Sequence, residues 1–228
     1  MKKVINISLD IETLSKKEDA AMISIAAVPF DKYSVEEYPE QCPDGLLKRG
    51  GCAGIEPYYE VINATSCALL GMNFEMDTVR FWQKQEDKAK AELLGSNAVT
   101  IGYAMDGFVN CLSLIKDKYD VDIHIWAQGI DFDMPIVRNA IRTAIGANEF
   151  PWKYNQVRDA RTWILENIEL LHGELEDPYS VLPKYEGNGV EHSALYDAER
   201  TAFNIKYLFG ELTGIIRGRN NKAIAGHE

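Results

Sequence analysis

The sequence predicts one mixed α/β domain built on a five-stranded sheet, on three observations. Three β-rich runs follow one another within the first 62 residues with no helical period between them. Helical spacing takes over afterwards, broken by two short β-like runs. The last periodic segment carries a continuous apolar stripe at helical spacing. Strands joined without helices imply an antiparallel start to the sheet, and the later alternation adds helices around it.

The elements follow in order. Val4, Ile5, Ile7, Leu9 and Ile11 mark the first strand, and Met22 to Phe30 the second. Residues 32–55, with Pro39, Pro43 and four glycines, read as a loop insertion. Ile55 to Ile62 is the third strand. Helices are expected over Asp77–Leu94 and Met105–Tyr119, then a strand over Val121–Ala127 and a helix over Asp131–Ile145. A short strand near Val157, a helix over Ala160–Leu171 and a final helix over Ser193–Leu212 complete the order. Leu195, Ala198, Ala202, Ile205, Phe209 and Leu212 give that last helix its stripe. Residues 1–214 read as a single domain and 215–228 as a polar, fraying tail.

Charge narrows the function classes. There are 35 acidic against 24 basic residues, a net of −11, which disfavours bulk electrostatic binding to duplex or to an anionic membrane. Cys42, Cys52, Cys67 and Cys111 form no metal-binding or redox pair, and no stretch reads as a signal peptide or membrane span. A reducing, cytoplasmic setting is expected.

Three constellations carry chemistry. In Asp10-Ile11-Glu12, strand alternation puts both carboxylates on one face and sends Leu9 and Ile11 into the core. Paired carboxylates repel unless a cation lies between them, and hard cations take such oxygen ligands; solvated carboxylates at a strand end are the alternative for the pair taken alone. In Gly129-Ile130-Asp131-Phe132-Asp133, Asp133 shares a ridge with Val137, Ala140 and Ala144, which makes it the ligand candidate. Asp131 falls on the polar ridge and suits an N-cap. In His192-Ser193-Ala194-Leu195-Tyr196-Asp197, Ser193 suits an N-cap, leaving His192 on the preceding loop and Asp197 one turn into the helix. An imidazole suits a proton acceptor there, with a surface loop histidine as the alternative for His192 taken alone.

Together, DIET in the first strand, the FD turn into a helix and HxAxxD opening the last helix resemble the DEDDh exonucleases of the ribonuclease H-like superfamily. WxxGxxFDxPI at Trp126–Ile136, WxxQ at Trp82–Gln85 and RDxRT at Arg158–Thr162 look like the phage exonuclease A (DexA) group. One departure is Gln128, where many relatives carry Asn. The resemblance implies a ribonuclease H-like sheet and two divalent cations, Mg²⁺ or Mn²⁺, held by Asp10, Glu12, Asp133 and Asp197, with His192 as general base. It further implies that Thr13 and Leu14 contact the terminal nucleotide and that Arg161 contacts or orients phosphate, while Asp159 is a structural partner.

The activity so implied is 3′–5′ exonucleolytic hydrolysis of single-stranded DNA to nucleoside 5′-monophosphates, in host cytoplasm if the gene is a phage's. RNA is the alternative substrate, and a catalytically idle binding module the alternative class. Arg138, Arg142, Lys153, Arg158 and Arg161 could form a strand-binding rim or solvated helix faces. Phe81 and Trp82 could stack on bases or belong to the core, and Arg217, Arg219 and Lys222 read as a solvated basic terminus.

Overall fold

The computed structural model describes residues 3–32, 55–85, 90, 97–187 and 189–225. The expected insertion falls almost wholly outside that set. Five strands form one sheet: β1 (Lys3–Thr13), β2 (Met22–Phe30), β3 (Tyr58–Val61), β4 (Val121–Ala127) and β5 (Val157–Asp159), in the order β3-β2-β1-β4-β5. The first three strands pair antiparallel, whereas β4 joins β1 and β5 joins β4 in parallel. This is the mixed ribonuclease H-like sheet that the motifs imply. Every residue of β2 is buried, which explains a run that is apolar except at Ser24.

Two cores flank the sheet. On one face, Ile7, Leu9, Ile11, Ile123 and Ile125 pack with α3 (Ile101–Tyr119) and α4 (Ile130–Ile145), through Met105, Phe108, Leu112, Val137 and Ile141. On the other, Ala26, Val28, Phe30 and Trp126 meet α5 (Ala160–His172) and α6 (Ala194–Ala225). Ala194, Ala198 and Ala202 line α6 where it nears the sheet, small side chains that bring the helix close. Asn6 and Ser8, out of phase with the apolar row, are buried without joining either core, and Asn6 accepts from Trp126 Nε1 at 2.9 Å. Asp10 and Glu12 continue this polar row.

Several boundaries differ from expectation. A six-residue helix α1 (Ala64–Leu69) was not anticipated, being too short to show a period. α2 spans Met76–Lys84 rather than reaching Leu94; most positions of that expected extension lie outside the described residues. α3 starts four residues before Met105, capped by the Thr100 side chain on Tyr103 N. α4 is capped at Gly129, so Asp131 is an exposed residue of its first turn and not the N-cap. α6 continues to Ala225, past the expected stop at Leu212 and through the stretch expected to fray. Among the described residues, no helix is long and apolar enough to cross a membrane.

Candidate active site

The site gathers where β1 outruns β4. Parallel pairing with β4 ends at Ser8, while β1 continues to Thr13 with a register shift between Glu12 and Thr13. Asp10 and Glu12 therefore project past the sheet's parallel half. The first turn of α4 brings Asp133 to them, buried at 4% exposure. Its Oδ2 accepts from Gly129 N at 3.2 Å, and its own N–H donates to Gly129 O at 2.9 Å. Asp159 supports this turn: its Oδ2 accepts from Ile130 N at 3.2 Å and its Oδ1 from Thr162 N at 2.6 Å. One side chain thus caps α5 and steadies the start of α4.

Asp197 enters from the first turn of α6. Its Oδ2 accepts from His192 N at 3.0 Å, and its Oδ1 lies 2.7 Å from Arg200 Nη2. The other guanidinium nitrogen, Nη1, is 3.3 Å from Glu191. His192 has φ +65°, a left-handed conformation uncommon outside glycine, in the turn before the helix. Its ring meets Phe81 edge-on at 5.2 Å and Trp82 at 6.3 Å. Ligand atoms of Glu12, His192 and Asp197 all lie within 4.8 Å of one another.

Electrostatics expose the strain in this arrangement. Burial raises the Asp10 pKa well above the ordinary carboxylate range, and Glu12, Asp133 and Asp197 raise it further against Arg200. Burial pushes Asp133 up to about 7, opposed by the N–H groups of Gly129 and Asp133 and by Arg161. Asp197 is also raised by burial, offset by Arg200 and the His192 N–H. A divalent cation would reverse these penalties. Four carboxylates with one imidazole are a donor set that suits a hard cation, so the residues fit the metal that the motifs imply.

Asp10, Glu12, Asp133, Asp197, His192 and Arg161 all line one cleft of about 1190 Å³. Thr13 and Leu14 do not. Thr13 is buried, its carbonyl accepting from Trp82 Nε1 at 2.9 Å, and it borders an adjoining pocket of about 270 Å³ with Glu12, Phe81 and Phe132. Leu14 lines a separate apolar cavity of about 480 Å³ with Ile23, Val79 and Trp82. Of the five residues considered for a basic rim, only Arg161 lines the cleft. Arg138 and Arg142 lie over the Phe150 ring, and Arg158 donates to the Asn155 and Val157 carbonyls. Trp82 is buried, whereas Phe81 is 42% exposed beside His192. Arg200 escaped the sequence reading, although its place one turn beyond Asp197 was a usable signal.

The family model for the 3'-5' exoribonuclease Rv2179c-like domain matches residues 5–209 of this chain. The chain belongs to that family. The exonuclease also resembles the exodeoxyribonuclease of Enterobacteria phage T4, at 26% identity over 224 residues, covering 91% of this chain and 90% of the relative. Cell-death related nuclease 4 (CRN-4) superposes with a TM-score of 0.49 at 11% identity, covering 93% of this chain and 64% of that one. The protein is therefore a DEDDh-type 3′–5′ exonuclease, a phosphodiester hydrolase acting on nucleic acid, and its family generally uses divalent metals.

Proposed function

We propose that this exonuclease removes nucleotides singly from the 3′ end of single-stranded DNA, releasing nucleoside 5′-monophosphates. Two divalent cations, Mg²⁺ or Mn²⁺, are held by Asp10, Glu12, Asp133 and Asp197. The observation that carries this reading is the convergence of four carboxylates in one cleft, where burial and the charges of Glu12, Asp133 and Asp197 raise the Asp10 pKa. Bound there, the cations supply Lewis-acid activation of water and neutralise charge on the leaving 3′-oxygen. On loading, Asp10 and Asp133 give up the protons that burial makes them keep.

His192 takes the proton of the attacking water. Its backbone is tied to Asp197 and its ring rests against Phe81, so the imidazole stays within reach of the carboxylates. Arg161, which lines the same cleft, contacts phosphate. The terminal nucleotide enters the smaller pocket, against the Thr13 backbone; Leu14 supports it from behind, packed against Trp82. Residues 1–214 act as one catalytic domain in a cytoplasmic setting, the host's if the gene is a phage's.

DNA is favoured because the T4 relative, matched over nearly the full length of both chains, is named an exodeoxyribonuclease. RNA is the second reading, favoured by the family's description as an exoribonuclease. All five motif side chains are in place, which favours an enzyme over an idle binding module. The test uses 5′-labelled single-stranded DNA and RNA with Mg²⁺, with Mn²⁺ and with EDTA. A one-nucleotide ladder on DNA, abolished by EDTA, is expected. A ladder on RNA alone transfers the function to the second reading, and no ladder on either polymer rejects both.

A further inference from the structure

One carboxylate of the floor carries a cation of the chain's own. The two oxygens of Asp197 are engaged in different ways. Oδ2 accepts from His192 N at 3.0 Å, a directed bond from the backbone. Oδ1 is buried and receives no hydrogen bond among the described residues, yet Arg200 Nη2 lies 2.7 Å away. The guanidinium therefore meets Oδ1 as a charge and not as an aimed donor. A contact that rests on charge alone is one that another cation can take over. The Asp197 side chain is 14% exposed and that of Arg200 38%, so the anion is enclosed while the cation has a way out.

Arg200 also has other groups to rest on. Its Nη1 is 3.3 Å from Oε1 of exposed Glu191, and its guanidinium carbon is 5.8 Å from the centre of the Tyr196 ring. Moving off Asp197 leaves both of those contacts available, so departure does not strand the charge. Its influence reaches deeper than the pair, because Arg200 opposes the rise in the Asp10 pKa. The same residue lines the cleft beside Glu12, His192 and Asp197, whose ligand atoms lie within 4.8 Å of one another. Two cations at one carboxylate repel, so a divalent ion held by Asp197 works against the guanidinium.

We propose that Arg200 is the resident counter-cation of the carboxylate cluster: it pairs with Asp197 in metal-free protein, a divalent cation displaces it toward Glu191, and the exchange sets how tightly the site loads. Arg200 is thus a positioning residue and touches neither water nor the scissile bond. The proposal rests on the ligand role given to Asp197 above and adds to it a competitor supplied by the same helix.

The test reads metal binding and the arginine itself, without substrate. Mn²⁺ is titrated into wild type and Arg200→Gln, and free Mn²⁺ is followed by electron paramagnetic resonance. R200Q should bind Mn²⁺ about tenfold more tightly, the order of one unit charge removed beside a partly solvated divalent cation. An arginine that merely held Asp197 in place would give the opposite sign, because its loss would loosen a ligand. In ¹⁵N-labelled wild type, the Arg200 Nε–H signal, identified by its loss in Arg200→Lys, should move on adding Mg²⁺. Equal or weaker Mn²⁺ binding by R200Q, or a signal that stays in place at saturating Mg²⁺, overturns the proposal. The wild-type spectrum decides the matter if R200Q does not fold. Wild type that binds no Mn²⁺ removes the metal reading and this exchange with it, whereas unaltered affinity in R200Q removes the exchange alone.

Discussion

The floor of the cleft and its overhanging wall are built by opposite means. The floor carries carboxylates on a strand end and on the first turns of two helices, where backbone hydrogen bonds fix their positions. Burial raises the pKa of Asp10, Asp133 and Asp197, and at Asp10 the neighbouring carboxylates add to it. The wall between α5 and α6 has little regular structure beyond a short 3-10 turn at Pro178–Val181. Side chains hold it instead: Tyr185 to Glu199, Arg200 to Glu191, and the His192 ring against Phe81. The proposed metal ligands thus sit on regular elements, while the proposed proton acceptor sits on a turn.

Breaking the floor should have the largest effect. Asp133→Asn is expected to lower turnover on labelled oligonucleotide by at least about a thousandfold while preserving the circular dichroism spectrum. Activity within tenfold of wild type would remove Asp133 from the ligand set. The wall's contribution comes next. His192→Ala should lower kcat by about a hundredfold or more with little change in KM, as loss of a general base requires. An equal rise in KM would make it a binding residue.

A third measurement reads the cost of burying the floor's charge. The folded pKa of Asp133, about 7, lies above the unfolded value of about 3.9. The folded state therefore holds the proton more tightly, and its contribution favours folding most below about pH 4. That contribution declines as pH rises to about 7. The Tm of metal-free protein should fall across this window, and Asp133→Asn should flatten the fall. Mg²⁺ should raise Tm more at pH 8 than at pH 5. Parallel profiles for wild type and D133N would show that this carboxyl is not the source.

The smallest effect belongs to the wall's anchor. Tyr185→Phe removes the donor to buried Glu199, at a cost of about 1–3 kcal/mol, or roughly 2–12 °C in Tm. It should raise KM for oligonucleotides more than it lowers kcat. A change in kcat alone would place Tyr185 in the chemistry rather than the wall.

The floor was far more legible in sequence than the wall. Alternation in β1 put Asp10 and Glu12 on one face, and the apolar ridge of α4 separated Asp133 from Asp131. Such signals are local, with periods of two and 3.6 residues. Even there the cap was misread, because Gly129 starts α4 without a side-chain hydrogen bond and leaves no polar signature. The wall depends on pairs with no period. Tyr185 finds Glu199 across a loop, Phe81 meets His192 from another element, and Leu14 turns away from the cleft behind Trp82. None of these follows from spacing.

The projection of β1 beyond β4 makes the site sensitive to counting. Asp10 sits opposite Ala26 and Glu12 opposite Ser24, so their direction depends on the residue number from the first paired position. Deleting one residue between Val4 and Leu9 while keeping that pairing would turn both carboxylates toward the core and Ile11 toward solvent. Substitutions along β1 can be absorbed one at a time, but a change of length there alters every later side chain at once. Variation among functional descendants of this chain should therefore spare the length of β1 while letting its apolar residues interchange.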